Sequence, residues 1–419
     1  MARPDRSTRS NMRIKHWVLV LAIILLDLAS ASAVADQEMS RAEVRRQALV
    51  LADLGRALFF DPSLSGSGKL ACSSCHDPAH GFGPANDRTV QLGGGDMQRS
   101  GARAVPSLKY LQAAPSFTEH FFDSEDEADE SVDNGPTGGL TWDGRVDRGA
   151  DQARIPLLSD FEMGNRSGAE VARRVLAAGH GKAIAAIIGR KAAADPANIY
   201  KTVLKGLEVF QQDHRAFYPY SSKYDAVLAS KAQLTPPEAR GLELFNAPDK
   251  GNCASCHISQ RGNDGTPPQF TDYGLIALGL PRNHDIPANK NSAYFDLGLC
   301  GPLRTDFLKR NDYCGLFRTP TLRNVALRKV FFHNGAAHSL RDSVRFYVER
   351  ETRPERWYPR KADGAIDKYD DLPQAAKANV NMDPPFDRKA GEAPALSPAE
   401  IDDIVAFLGT LTDGYEPAK

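Results

Sequence analysis

Two mostly α-helical domains joined by long loops are what this sequence predicts, and three observations predict them. The pattern C-x-x-C-H occurs twice, in "ACSSCHDPAHGF" at 71–82 and in "NCASCHIS" at 252–259. Each copy follows a stretch whose apolar residues recur at helical spacing. No run alternates apolar and polar residues as a half-buried strand does.

The chain opens with Arg9, Arg13 and Lys15 ahead of the apolar run "WVLVLAIILLDLASASA". Ala31-Ser32-Ala33 fits an A-x-A cleavage site, so residues 1–35 read as an export signal peptide. The run is short for a membrane span and contains Asp27; an uncleaved anchor is the alternative. The mature protein is therefore expected in a periplasm, without stable membrane insertion. A formal net charge of −1 gives no field that would draw nucleic acid or an anionic membrane.

"SRAEVRRQALVLADLGRALFFDP" then reads as a helix running into the first motif. "GAEVARRVLAAGHGKAIAAIIG" and "IYKTVLKGLEVFQQDHRAFY" also read as helical, and a linker falls near "YPYSSKYDAV". In "LTPPEARGLELFN", Thr235 suits an N-cap, Pro236 the first helical position and Glu238 the capping box. Ser397, Pro398 and Glu400 repeat that cap before a last helix. Its apolar stripe is Ile401, Ile404, Val405 and Leu408, and Gly414 suits its stop. These signals place an N-terminal domain at 40–220 and a C-terminal domain at 225–419. The acidic run "DSEDEADESVD" at 123–133 reads as a solvated loop, with a calcium loop or a partner-facing patch as alternatives.

Three chemistries use C-x-x-C. Zinc sites need four ligands, commonly two close pairs. Thiol–disulfide enzymes need no histidine after the motif. Haem attachment needs C-x-x-C-H: two thiols form thioethers, and the next histidine reaches the iron. The histidine after each second cysteine decides for two covalently bound haem c groups. Cys72 and Cys75 would anchor one, with His76 as iron ligand; Cys253, Cys256 and His257 would hold the other. A helix before the motif and another closing the domain is how small c-type cytochromes wrap a haem, so the predicted domains are cytochrome c-like. Cys300 and Cys314 read as a loop disulfide in an oxidising compartment, although spacing alone does not give their separation.

Two such motifs in one exported chain, with "CHDPAHGF", "WDGR" at 142–145, "DQARIPLLSDFEMG" at 151–164, "RTPTLRNVAL" and "FFHNGAAHSLRDSVRFY", resemble the bacterial di-haem cytochrome c peroxidase/MauG superfamily. The likeness runs from "LGRALFFDPSLS" to the final helix. It implies an enzyme whose N-terminal haem meets hydrogen peroxide in a pocket built from a glutamine, a proline and a glutamate. Gln152, Pro156 and Glu162 stand at the family's spacing. A carboxylate can move a proton between the peroxide oxygens, and an amide can orient the bound molecule. Conventional peroxidases carry an extra histidine some sixteen residues beyond the proximal one; here that region, "TVQLGGGDMQRSGAR", has none. An open first haem is thus expected, with Met97 the minor alternative ligand and His80 a loop or pocket residue.

In the family the second haem's distal ligand lies fourteen residues beyond the histidine of an "HDG"-like turn, a spacing that leads here from His333 to Tyr347. Met382 competes for that role. A tyrosinate would favour Fe(III) relative to methionine. Trp142 matches the tryptophan between the haems. The resemblance also implies an inter-haem calcium, but Tyr110 in "PSLKY" replaces its asparagine ligand, and the turn lending carbonyls reads Arg328-Lys329-Val330. The expected partners are hydrogen peroxide and either an electron-donor protein or a partner protein whose side chains are oxidised. The open site and Tyr347 favour the MauG-like branch. A peroxidase activated by reduction is the near alternative, and a di-haem electron carrier without catalysis is the distant one.

Overall fold

The computed structural model describes residues 40–120 and 135–416. The export signal and the acidic run at 123–133 lie outside those residues. The chain falls into two compact units, 1–49 and 50–419. In the first, the described residues begin helix α1 (Arg41–Phe59), and Arg46 pairs with Glu43 one turn away at 2.9 Å on its exposed surface.

The regular structure of the second unit is mostly helical, as expected. After α1 come α2 (Cys72–Cys75), α3 (Gly149–Leu158), α4 (Gly168–Ala177), α5 (Gly181–Ile188), α6 (Pro196–Phe210), α7 (His214–Phe217), α8 (Lys223–Leu228), α9 (Pro236–Asn246), α10 (Leu340–Glu349) and α11 (Pro398–Gly409). The sheet among the described residues is slight. Strand β1 (Leu92–Gly93) pairs antiparallel with β2 (Arg99–Ser100), and β3 (Leu275–Ile276) with β4 (Phe317–Arg318). Long loops and 3₁₀ turns join these elements. No helix among the described residues is long and apolar enough to cross a membrane.

The caps read from the sequence form. The Glu238 carboxylate accepts from the Thr235 N–H at 2.7 Å, and Ser397 and Glu400 cap each other's N–H groups at 3.3 and 2.8 Å. The stop differs. The last helix ends at Gly409, five residues before Gly414, because the chain there turns toward two neighbours. Asp413 N–H donates to Asn324 Oδ1 at 3.0 Å, and Gly414 N–H to Ser221 O at 3.1 Å.

Buried apolar side chains form three clusters. One draws on residues 54–217 and includes Leu58, Phe59, Val175 and Phe217; a second draws on 224–411 and includes Phe245, Phe270, Ile404 and Phe407. A third surrounds the Cys300–Cys314 disulfide, which forms with 4.9 Å between Cα atoms. Each large apolar side chain taken fully from water adds about 1.5–3 kcal/mol.

The first two clusters share a local pattern. Gly55-x-x-Leu58-Phe59 precedes one motif and Gly241-x-x-Leu244-Phe245 the other. A Cβ on Gly55 would stand 1.9 Å from Gly206 O in α6, and one on Gly241 would stand 2.0 Å from Asp403 O in α11. In both places a helix crosses so closely that only glycine fits. The phenylalanine four residues on is buried each time.

Candidate active site

The two cysteine–histidine motifs adopt matching local structures. Cys72–Cys75 is one helical turn closed by the His76 N–H donating to Cys72 O at 2.9 Å; Cys253–Ser255 is a 3₁₀ turn, and His257 N–H donates to Cys253 O at 2.8 Å. The two thiols of each pair therefore lie beside one histidine. Burial pushes the Cys72 and Cys253 thiols up to about 12, and Cys75 and Cys256 up to about 11. All four are free and neutral at physiological pH.

Each histidine is oriented through its other nitrogen. His76 Nδ1–H donates to Phe82 O and His257 Nδ1–H to Phe270 O, both at 2.9 Å. Phe82 and Phe270 both sit at φ 54°, a left-handed conformation that turns the carbonyl onto the ring. Nε2 is left free, the nitrogen that could ligate a metal. Burial holds His76 down to about 4 and lowers His257, so both rings are neutral, as metal coordination requires.

A cavity of about 1080 Å³ adjoins the second motif, lined by Cys253, Cys256, His257, Tyr347 and Trp142. Its walls are mostly apolar, and Arg318 and Tyr273 are among the polar residues that line it. Arg318 is buried and pairs with no carboxylate among the described residues; its Nε donates to Thr141 O at 3.2 Å. Tyr273 Oη is buried with no hydrogen-bond partner. Paired thiols, a neutral histidine, a large apolar cavity and a guanidinium suited to an anionic edge together fit haem.

The predicted distal residues fall into two equivalent places. The bridges Leu140–Val146 and Phe331–Ala337 close matching turns, with Thr141 at φ 73° and Phe332 at φ 67°. Trp142 and His333 each stand second after the bridge residue, and their rings meet edge-on at 6.4 Å. Seven residues beyond Trp142 begins α3, and seven beyond His333 begins α10; both helices have ten residues. The eighth helical residue is Pro156 in one and Tyr347 in the other.

Tyr347 lines the cavity and stacks on Phe386 at 5.6 Å. Burial raises its pKa, and the Cys256 and Cys253 thiols opposite add to the rise while Arg350 opposes it. Met382 is brought elsewhere: it is 46% exposed, and its Sδ accepts from an Arg350 Nη at 3.3 Å.

Gln152 and Pro156 lie one turn apart on α3, where the proline ring leaves Gln152 O without its helical donor. The turn after α3 folds back, with Met163 N–H donating to Pro156 O at 3.0 Å and Gly94 N–H to Glu162 O at 2.7 Å. That loop, the one lacking a histidine, thus straps Glu162 in place. Burial raises the pKa of the Glu162 carboxyl, against lowering by the Ser159 side chain and Arg145, and its charge adds to the rise at Cys75. Among the described residues no protein group hydrogen-bonds the Gln152 amide, which stays available to a ligand. His80 turns to Asp77 at 2.9 Å, and Met97 packs against the first cluster.

Trp142 is fixed from both ends. Its Nε1–H donates to Ala104 O at 2.8 Å, and its own carbonyl accepts from Arg318 N–H at 2.8 Å. Asp143 beside it is buried, yet Arg103 and Arg145 at 2.7 and 2.8 Å hold it below the usual carboxylate range.

The residues do not fit the implied calcium. Tyr110 Oη donates to Asp413 Oδ1 at 2.6 Å, and Lys109 pairs with the same carboxylate at 3.0 Å. At the other expected ligand turn, Val330 O accepts from Arg328 Nε at 3.2 Å. The Tyr110 phenol and the Val330 carbonyl are thus already engaged within the protein. Arg318, Tyr273 and the two left-handed phenylalanines escaped the sequence reading, as did the role of the Arg328 side chain. The repeat P-[ST]-L-[KR]-[YN], at 106–110 and 320–324, was the signal that could have exposed the duplicated architecture.

Comparison with known proteins agrees with this duplicated pair of sites. Residues 50–233 match the family described as di-haem cytochrome c peroxidase. The methylamine utilization protein MauG of Paracoccus denitrificans is 30% identical over 374 residues, 88% of this chain and 90% of that protein. The crystal structure of the diheme peroxidase BthA from Burkholderia thailandensis superposes with a TM-score of 0.75 at 38% identity, covering 87% of this chain and 86% of that one. A MauG-like protein associated with microbial copper homeostasis gives a TM-score of 0.60 at 26% identity, covering 90% and 91%. With relatedness running over nearly the whole of both chains, this protein belongs to the di-haem cytochrome c peroxidase/MauG superfamily of oxidoreductases.

Proposed function

We propose that this chain is an exported, periplasmic enzyme that reduces hydrogen peroxide at an N-terminal site and draws the electrons through a C-terminal site. Residues 40–220 form the peroxidatic domain and 225–419 the electron-transfer domain. Two haem c groups are attached covalently, one through Cys72 and Cys75 with His76 as ligand, the other through Cys253 and Cys256 with His257. Bound haem would supply the redox-active iron at each site.

The observation that carries the reading is the asymmetry between equivalent helix positions. Tyr347 offers a phenol at the place where α3 offers Pro156. A proline side chain has no ligating atom, so the first site is left to substrate, while the Tyr347 phenol would help to hold bound haem at the second. Peroxide reduction consumes two protons and two electrons and yields two waters. Glu162 takes the proton from the near oxygen and returns it to the departing one. Its raised pKa brings its proton affinity closer to neutrality, where exchange in both directions is effective. The Gln152 amide orients peroxide by hydrogen bonding, and Pro156 keeps the wall apolar. Trp142, beside the second cavity and tied to the segment that passes His76, relays electrons between the sites.

The electrons come from a donor protein or from oxidisable side chains of a partner protein. The vacant first face and Tyr347 favour the second, MauG-like use. Mixing the resting ferric protein with hydrogen peroxide tests this. Rapid loss of a high-spin electron paramagnetic resonance signal without prior reduction is expected. A requirement for one-electron pre-reduction would identify a conventional peroxidase, and no reaction under either condition an electron carrier.

A further inference from the structure

The segment 104–107 is tied to three elements of the site. Ala104 O accepts from Trp142 Nε1 at 2.8 Å, Val105 O accepts from an Arg328 Nη at 3.1 Å, and Ser107 Oγ donates to Gly81 O at 2.5 Å, next to the Phe82 carbonyl that orients His76. Arg328 Nε donates to Val330 O at 3.2 Å, so the guanidinium is clamped between two backbone carbonyls. It lines the second cavity together with Trp142, and one Nη lies 3.6 Å from where a Cβ on Gly83 would stand, in the loop whose Phe82 carbonyl orients His76. Among the described residues no carboxylate pairs with it.

A buried cation without an ionic partner is costly. A fold retains one most readily where negative charge arrives during function, and here the charge stands between His76 and the second cavity. The same turn is where the family resemblance implied a metal ion; its Val330 carbonyl is already taken by the guanidinium.

We propose that Arg328 is the built-in positive charge between the two haem sites and replaces a bound divalent cation there. It is a positioning residue: it pins Val105, next to the Trp142 anchor, and raises the electron affinity of the first-site iron by its fixed charge. The inference rests on the reading that His76 and His257 each ligate a haem.

The test is spectroelectrochemical titration of the holoenzyme, before and after exhaustive dialysis against a calcium chelator, beside Arg328→Met and Arg328→Lys. The wild-type potentials should not move on chelation. Arg328→Met should weaken first-site reduction at least tenfold in the one-electron equilibrium, a shift of about 59 mV to lower potential, and Arg328→Lys should retain most of the wild-type value. A chelation-induced shift in the wild type would overturn the proposal, as would an unmoved Arg328→Met or an Arg328→Lys that falls with it. Should Arg328→Met fail to mature, chelation and the lysine variant still decide. Absorption spectra showing fewer than two covalent haems would overturn the underlying reading with it, and that failure is read separately from any potential.

Discussion

In the proposed mechanism Glu162 accepts and releases a proton within one turnover, and its surroundings suit that task. Burial raises its pKa, while the Ser159 side chain and Arg145 keep the ionised form accessible. As proton acceptor it acts ionised, so the rate of reaction with peroxide should rise with pH through a pKa above the ordinary value of about 4.3. Glu162→Gln should abolish that limb and slow the reaction about 10²–10⁴-fold, with both haems retained; stopped-flow absorbance across pH measures both. At the second site, burial holds the free Tyr347 phenol neutral, so phenolate coordination needs the charge of ferric iron to draw off its proton. Tyr347→Phe should leave the first site's high-spin resonance unchanged and alter only the second site's signal. Unchanged spectra would remove Tyr347 from the coordination sphere.

Among the elements, the helix crossings are the places least tolerant of change. A methyl on Gly241 would meet the Asp403 carbonyl at 2.0 Å, so α9 and α11 must separate to admit it. Gly241→Ala should therefore cost about 1–3 kcal/mol, seen as a lowered thermal midpoint, with the Arg240–Asp403 pair across the same crossing disturbed as well. The sequence made the elements themselves readable. Cap residues such as Thr235 and Ser397 act over three residues, and C-x-x-C-H binds chemistry to a fixed spacing. What it hid was long-range closure. Phe82 and Phe270 take left-handed conformations that favour neither residue type locally and are imposed by the histidines they orient. Asp413 collects Lys109, Tyr110 and Asn324 from turns more than two hundred residues apart, and no local pattern announces that meeting. The misplaced helix stop at Gly414 has the same origin, since the chain between Gly409 and Gly414 answers to those partners rather than to helix propensity.

At the scale of the whole molecule, one local design is used twice and then made unequal. The matching turns carry an indole in one half and an imidazole in the other, and the helices that follow carry proline and tyrosine at the same position. One site can then meet substrate while the other exchanges electrons, provided charge passes between them. In the proposed mechanism Trp142 carries that passage. It lines the second cavity, and it hangs from the segment whose next residues bind Arg328 and the loop that orients His76. A phenylalanine there would preserve apolar packing but lose the Ala104 hydrogen bond and the readily oxidised ring. Trp142→Phe should keep the initial reaction with peroxide near the wild-type rate, because Glu162, Gln152 and Pro156 are untouched. Oxidation of the second site should lag behind it, separating into two phases what the wild type completes in one. Rapid-mixing absorbance with freeze-quench paramagnetic resonance resolves the two sites. Equal, undelayed oxidation of both in the variant would mean that charge crosses by another route, and the fixed placement of the indole would then be a matter of packing alone.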